Sequence, residues 1–310
     1  MSVQGVSGFA LEVPDVAQAV RFYEDAGLQV SAGGTLTHMR CPGQDRDAVT
    51  LVQGRHKRLH HVALRAAGLA DIARRVPTYG GKVVAAPEHF SHTGLWIEDP
   101  HGMLLHLVEQ PREIPLPAGN RFAINEPGNI GRINRSAIQP ISQSAAGIPL
   151  RLGHVLVFTP DTMRSVEFVT QALGMGLADH AQDVIAFCCA RSNSDHHVLA
   201  FARSPGIGFH HASFLVRDPD EVGRAGRRLV EKAGMGDWGF GRHTVGSNFF
   251  HYIQDPWGSW FEYYADMDFI DDYALWTPTN YTLEDSLANW GPPVPSDFVH
   301  NYEMGEMTSS

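Results

Sequence analysis

Gly153-His154-Val155-Leu156-Val157-Phe158-Thr159-Pro160-Asp161 repeats the pattern of Gly8-Phe9-Ala10-Leu11-Glu12-Val13-Pro14-Asp15 near the start of the chain. Both segments are short and apolar, both alternate like strands, and both end in Pro-Asp. An aspartate there can accept hydrogen bonds from the first free N–H groups of a helix. The residues that follow carry apolar side chains at helical spacing: Val16, Val20, Phe22 and Tyr23 in one copy, Met163, Val166, Phe168 and Val169 in the other. Gly27 and Gly174 close the two helices.

A second kind of unit follows each of these. His60-His61-Val62-Ala63-Leu64 matches His210-His211-Ala212-Ser213-Phe214-Leu215, and helices are expected near Leu69 to Val76 and Glu221 to Lys232. Each unit closes on Asp-Pro-x-Gly and a strand, at Asp99-Pro100-His101-Gly102 and Asp255-Pro256-Trp257-Gly258. The reading is therefore α+β, with four strand–helix–strands units in two pairs. The domains expected are 1–114 and 149–266, joined by a Pro/Gly/Ser/Asn-rich connection over 115–148. An aromatic tail over 267–310 is expected to pack on the second domain.

With 310 residues, 43% hydrophobic, the chain is long enough for two cores. Its net charge of −10 and lack of a basic run argue against nucleic acid as a partner. Three cysteines, Cys41, Cys188 and Cys189, fit neither a disulfide framework nor a zinc ribbon, so a reduced cytoplasm is the expected compartment. Cys188 and Cys189 read as core thiols. No signal peptide and no membrane span are expected.

His154 and His211 begin strands in the second pair of units, and Glu262 lies on the last strand. Two imidazoles and a carboxylate from separate strands are the ingredients of a facial triad with open positions, suited to iron(II). Taken singly, His154 reads as a strand-edge histidine and Glu262 as a glutamate on a wet face. The strand of Glu262 is aromatic, however, and a carboxylate buried there needs a partner.

The second half resembles the type I extradiol ring-cleavage dioxygenases of the vicinal oxygen chelate superfamily, such as catechol and dihydroxybiphenyl dioxygenases. The resemblance rests on Gly153-His154-Val155, Asp195-His196-His197-Val198-Leu199-Ala200-Phe201, His210-His211-x-x-Phe214, Gly241-Arg242-His243-Thr244 and Tyr252-x-x-Asp255-Pro256-x-Gly258-x-x-x-Glu262-Tyr263. In fold it covers most of residues 1–266, and its motifs are specific over 150–266. It implies four βαβββ modules in two paired domains. His154, His211 and Glu262 would hold iron(II), with manganese(II) as the alternative occupant.

The resemblance also implies catalytic roles for His197, His243 and Tyr252: His197 as acid–base group, the other two bonding the substrate's metal-bound oxygens. The substrate would be a small aromatic diol, cleaved with dioxygen in aromatic catabolism, and the protein a homo-oligomer. Single-ring, bicyclic and biaryl diols, some trihydroxylated, all remain open. In the first half, Phe9 is aligned with His154, His61 with His211 and His106 with Glu262, so that half should lack a metal site. Strand alternation turns His196 away from the side of His197 and His210 away from that of His211. His243 is expected in a loop, and Tyr252 on a strand with His251. Two other functions compete on the same fold. One is a glyoxalase-like isomerase or lyase using zinc, nickel or manganese without oxygen; the other is a sequestering protein that needs no triad.

Overall fold

A computed structural model of the chain describes residues 2–110, 124–138, 140 and 147–305. The first half opens with β1 (Val3–Val13), α1 (Val16–Asp25), β2 (Gln29–Ala32), β3 (Leu36–Arg40) and β4 (Val49–Gln53). It continues with β5 (Arg58–Ala66), α2 (Leu69–Arg75), β6 (Lys82–Val84), β7 (Leu95–Glu98) and β8 (Leu104–Val108). These eight strands form one sheet in the order β2-β3-β4-β1-β5-β8-β7-β6. In each unit the helix carries the chain across, so the first strand lies parallel to the last: β1 to β4 and β5 to β8.

The second half repeats the plan with β9 (Arg151–Thr159), α3 (Thr162–Gln171), β10 (Gly176–Ala181), β11 (Ile185–Cys189), β12 (Ser192–Asp195) and β13 (Leu199–Arg203). Then come β14 (Gly208–Leu215), α4 (Pro219–Ala233), β15 (Asp237–His243), β16 (Phe249–Gln254) and β17 (Trp260–Ala265). The tail adds β18 (Phe269–Asp272), β19 (Asn280–Tyr281) and β20 (Ala288–Trp290). The second sheet runs β19-β10-β11-β13-β9-β14-β17-β16-β15-β20, with β12 paired to β18 beside it. Four βαβββ modules are therefore present, two to a sheet. The 115–148 connection lies partly outside the described residues; its stretch 124–138 holds only an isolated bridge between Glu126 and Asn129. No helix among the described residues is long and apolar enough to cross a membrane.

The repeated sequence signals do the same physical work in both halves. Asp15 accepts from the main-chain N–H of Gln18 at 2.8 Å and Asp161 from that of Arg164 at 2.9 Å, each from an extended backbone that starts the helix. In the Asp-Pro-x-Gly turns, Asp99 accepts from the N–H groups of His101 and Met103, and Asp255 from those of Trp257 and Ser259. Gly102 and Gly258 close these turns at φ 90° and 91°, a left-handed conformation that a side chain would strain. One core runs through both halves: Phe9 stacks on Phe209 at 5.0 Å, and Tyr263 donates its hydroxyl to Ala26 O at 2.7 Å. Cys188 and Cys189 are buried in the second half, where burial pushes both thiols up.

Strand register corrects one alignment made from sequence. Ser213 pairs with His154 on one side and Glu262 on the other, and Ala63 pairs likewise with Gly8 and His106. The counterpart of His154 is thus Gly8, not Phe9. The equivalence follows from aligning the two N-cap aspartates instead of the two apolar runs. Gly8 has no side chain at all, so the first half still lacks the ligand. His106, the counterpart of Glu262, stacks on Trp96 at 4.0 Å and donates from Nε2 to Thr93 O at 2.8 Å.

Burial holds the imidazoles of His60, His61 and His106 below their ordinary range, His61 furthest because it is the most deeply buried and because His60 and His106 adjoin it. Below about pH 6.5 the unfolded chain therefore binds protons that the folded chain refuses. Stability should fall as pH drops from about 7.5 to about 5.5, with His61 alone giving up to about 1.4 kcal/mol per unit. Denaturation of His61→Gln should show a shallower slope than the parent; an unchanged slope would count against this account.

Candidate metal centre

Three adjacent central strands, β9, β14 and β17, build the site. Residues directly opposite one another in a sheet share a face, as do residues two apart on one strand. His154, Ser213 and Glu262 stand opposite one another, and His211 lies two before Ser213. The register therefore gathers His154, His211 and Glu262 on one face, around a serine small enough to leave room between them. Their ligating atoms all lie within 4.8 Å of one another, and all three side chains are buried. Nε2 of His154 is 3.2 Å and Nε2 of His211 is 3.6 Å from Glu262 Oε2, and the two nitrogens are 3.3 Å apart.

Glu262 is 0% exposed. Its Oε1 accepts from Asn248 Nδ2 at 3.2 Å, while Oε2 has no hydrogen-bond partner among the described residues. A buried carboxylate oxygen left bare between two imidazole nitrogens suits a cation, and the N₂O donor set suits a first-row divalent metal. Burial would raise the Glu262 carboxyl, but the adjoining imidazoles of His154, His243 and His211 outweigh it and hold it below its ordinary range. Nδ1 of His211 faces Nδ1 of His210 at 2.7 Å, which fixes the orientation of that ring. Nδ1 of His154 has no such partner among the described residues.

His154 and His211 border a cavity of ≈ 40 Å³, lined also by His197, His243, Tyr252, Phe187 and Phe298. The structure thus brings all six residues singled out in the sequence to one place. Local structure departs from expectation at four of the histidine positions. His196 and His197 lie in the short connection between β12 and β13, not on a strand. His197 borders the cavity with its ring 4.1 Å from that of His154, while Nε2 of His196 meets Asp179 Oδ2 at 2.8 Å. His210 also borders the cavity: the β9–β14 register skips it between Phe209 and His211, and such a bulge breaks alternation. His243 ends β15 instead of lying in a loop.

His243 Nδ1 meets Leu287 O, which can only accept, so Nδ1 carries a proton. Tyr252 OH lies 2.9 Å from His243 Nε2, with Glu262 beside both groups. Burial and the nearby Glu262 push the Tyr252 phenol well above its ordinary value, so it stays protonated. Burial likewise lowers the imidazoles of His197 and His211. Sequence reasoning missed Asn248, Ser213 and Leu287. Asn248 was legible only as a polar residue opening an apolar strand, and Leu287 acts through its main chain, which no side-chain motif records.

Over residues 151–263 the chain matches the family model of the glyoxalase/bleomycin resistance protein/dioxygenase superfamily. Metapyrocatechase 2 of Cupriavidus necator is 37% identical over 305 residues, which are 97% of this chain and 93% of that protein. The Mn(II)-bound glyoxalase from Novosphingobium aromaticivorans superposes with a TM-score of 0.75 at 22% identity, over 99% of each chain. The 2,2',3-trihydroxybiphenyl 1,2-dioxygenase of Sphingomonas wittichii gives 0.71 at 21% identity, over 95% of this chain and 100% of the other. At those identities the two structures speak for the fold.

If the three donor atoms take a divalent ion, manganese(II) at a hundredfold excess over its Kd should stabilise the metal-free protein by about 2.7 kcal/mol. Thermal denaturation with and without the ion reads this directly. Glu262→Ala should lose the shift and His61→Ala keep it. Loss of the shift in His61→Ala would move the site to the other half.

Proposed function

Because the chain belongs to the metapyrocatechase family within the glyoxalase/bleomycin resistance protein/dioxygenase superfamily, we infer that it opens the ring of a catechol-type diol by extradiol cleavage. Both atoms of dioxygen end in the product. The observation that carries the reading is the bare Glu262 Oε2 between the Nε2 atoms of two imidazoles, His154 and His211, which line a cavity together with His197, His243 and Tyr252.

His154 and His211 would hold iron(II) through Nε2, and Glu262 through Oε2. Bound there, iron(II) supplies a template for diol and dioxygen and the redox capacity to join their chemistry. The chain's own residues do the rest. Tyr252 OH, 2.9 Å from His243 Nε2, has lone pairs with which to accept from a diol hydroxyl. Leu287 O holds the His243 ring still, and with it the phenol. Leu156, Phe187, Val245 and Phe298 give the cavity apolar walls, the surroundings an aromatic ring prefers. His197 brings Nε2 to the same cavity, where it takes a proton from a diol hydroxyl and returns it as the ring opens.

Enzyme loaded with ferrous iron alone should hold about one iron per chain and consume one dioxygen per catechol opened. Metal analysis, oxygen uptake and product absorbance check this together. Full turnover in protein carrying zinc and no iron, manganese or cobalt would falsify the dioxygenase reading.

A further inference from the structure

His196 is 0% exposed and sits in the connection between β12 and β13, free of the alternation a strand would impose. Its Nε2 is 2.8 Å from Asp179 Oδ2, and its Nδ1 is 3.1 Å from Nδ1 of His197. Asp179 is itself anchored, its Oδ1 accepting from the main-chain N–H of Thr279 at 2.6 Å. Trp276 packs edge-on against the His196 ring at 5.3 Å. A carboxylate oxygen only accepts, so Nε2 of His196 carries a proton. A neutral His196 then has a lone pair at Nδ1, and the group facing that lone pair is His197 Nδ1, which must supply the hydrogen. What remains on His197 is a lone pair at Nε2, with no partner among the described residues, on a ring that borders the cavity beside His154.

We propose that Asp179 and His196 are positioning residues that lock His197 in its Nδ1–H tautomer, so that Nε2 meets the diol as a proton acceptor. The proposal rests on the reading of His197 as the acid–base group. In the step it serves, the hydroxyl O–H bond of the diol breaks and an N–H bond forms at Nε2. The imidazolium so formed keeps its Nδ1–H shared with His196, whose own Nε2–H points at the Asp179 carboxylate. When the ring opens, the N–H bond at Nε2 breaks and the proton passes to an oxygen of the ring-opened product, which leaves His197 neutral again. The opposite tautomer would present an N–H to the hydroxyl and accept nothing.

The test is nitrogen NMR of imidazoles in the full chain loaded with zinc(II), which is diamagnetic, with signals assigned from His196→Gln and His197→Gln. The protein should show protons on Nε2 of His196 and Nδ1 of His197. Asp179→Asn keeps the shape of the side chain but offers His196 an N–H, so both tautomers should reverse. In the iron enzyme kcat should then fall at least roughly 10²-fold, as when a general base is lost. KM and metal affinity should stay within about threefold, since neither substrate nor metal contact is removed. A proton on Nε2 of His197 in the unaltered protein overturns the proposal, whatever the variants do. So does Asp179→Asn with full kcat. A His197→Gln variant with full kcat sinks the acid–base reading beneath it, whereas a crippled His197→Gln beside the wrong tautomer sinks the positioning proposal alone.

Discussion

A fully buried carboxylate whose second oxygen meets no donor is the constraint from which the rest of the second half follows. Leaving such a charge uncompensated costs several kcal/mol, more than any single apolar contact returns. Glu262 sits on β17, inside a sheet whose neighbouring strands satisfy its main chain. Only side chains on the same face can answer its charge. Asn248 answers one oxygen; for the other the register supplies two imidazoles through Nε2, and a cation would complete the set. The first half resolves the same position differently. His106 can be neutral, so it needs no cation: it stacks on Trp96 and gives its proton to Thr93 O. Two changes, Gly8 at the position of His154 and the neutral ring of His106 at that of Glu262, separate the two cups.

The duplication explains why both halves share a skeleton while differing in chemistry. Helix caps and Asp-Pro-x-Gly turns depend on main-chain geometry and are indifferent to what faces the cup. Register is equally indifferent, since it places Ala63 between Gly8 and His106 just as it places Ser213 between His154 and Glu262. The histidine doublet persists in both copies, His60-His61 and His210-His211, with Nδ1 atoms 2.9 Å and 2.7 Å apart. A skeleton set by turns and caps can thus keep or lose its ligands without refolding.

The same distinction decides what was legible in the sequence. Period-2 and helical spacing, capped by Asp15 and Asp161, expose the modules because each signal is local. The meeting of His154, His211 and Glu262 was legible because two imidazoles and a carboxylate are a recognisable donor set wherever they stand in the chain. Register was the weak point: the two apolar runs align with Phe9 or with Gly8 against His154, and only strand pairing decides between them. Alternation also failed at His210, where a bulge sets both histidines of the doublet against one cavity, and at His196–His197, which leave the strand altogether. Bulges and short connections leave little trace in an apolar pattern, since they depend on how two strands meet.

The tail supplies what the repeat lacks. Leu287 O sets the proton on His243, Thr279 N–H anchors Asp179, and Phe298 walls the cavity and packs on Trp238 and Tyr252. Further along, Glu303 pairs with buried Lys57 of the first half at 3.2 Å and accepts from the N–H groups of Leu59 and Phe209. Breaking a buried pair by removing one partner costs about 3–5 kcal/mol, so the end of the tail is held firmly against both halves. Main-chain groups make dependable proton setters, because a carbonyl never donates and an amide N–H never accepts. Anchored at Glu303 and threaded past the cup, the tail imposes those fixed polarities on histidines that would otherwise be free to choose their tautomers. In the first half the proton of His106 is set instead by Thr93 O, a carbonyl of the same half, while its ring stacks on Trp96.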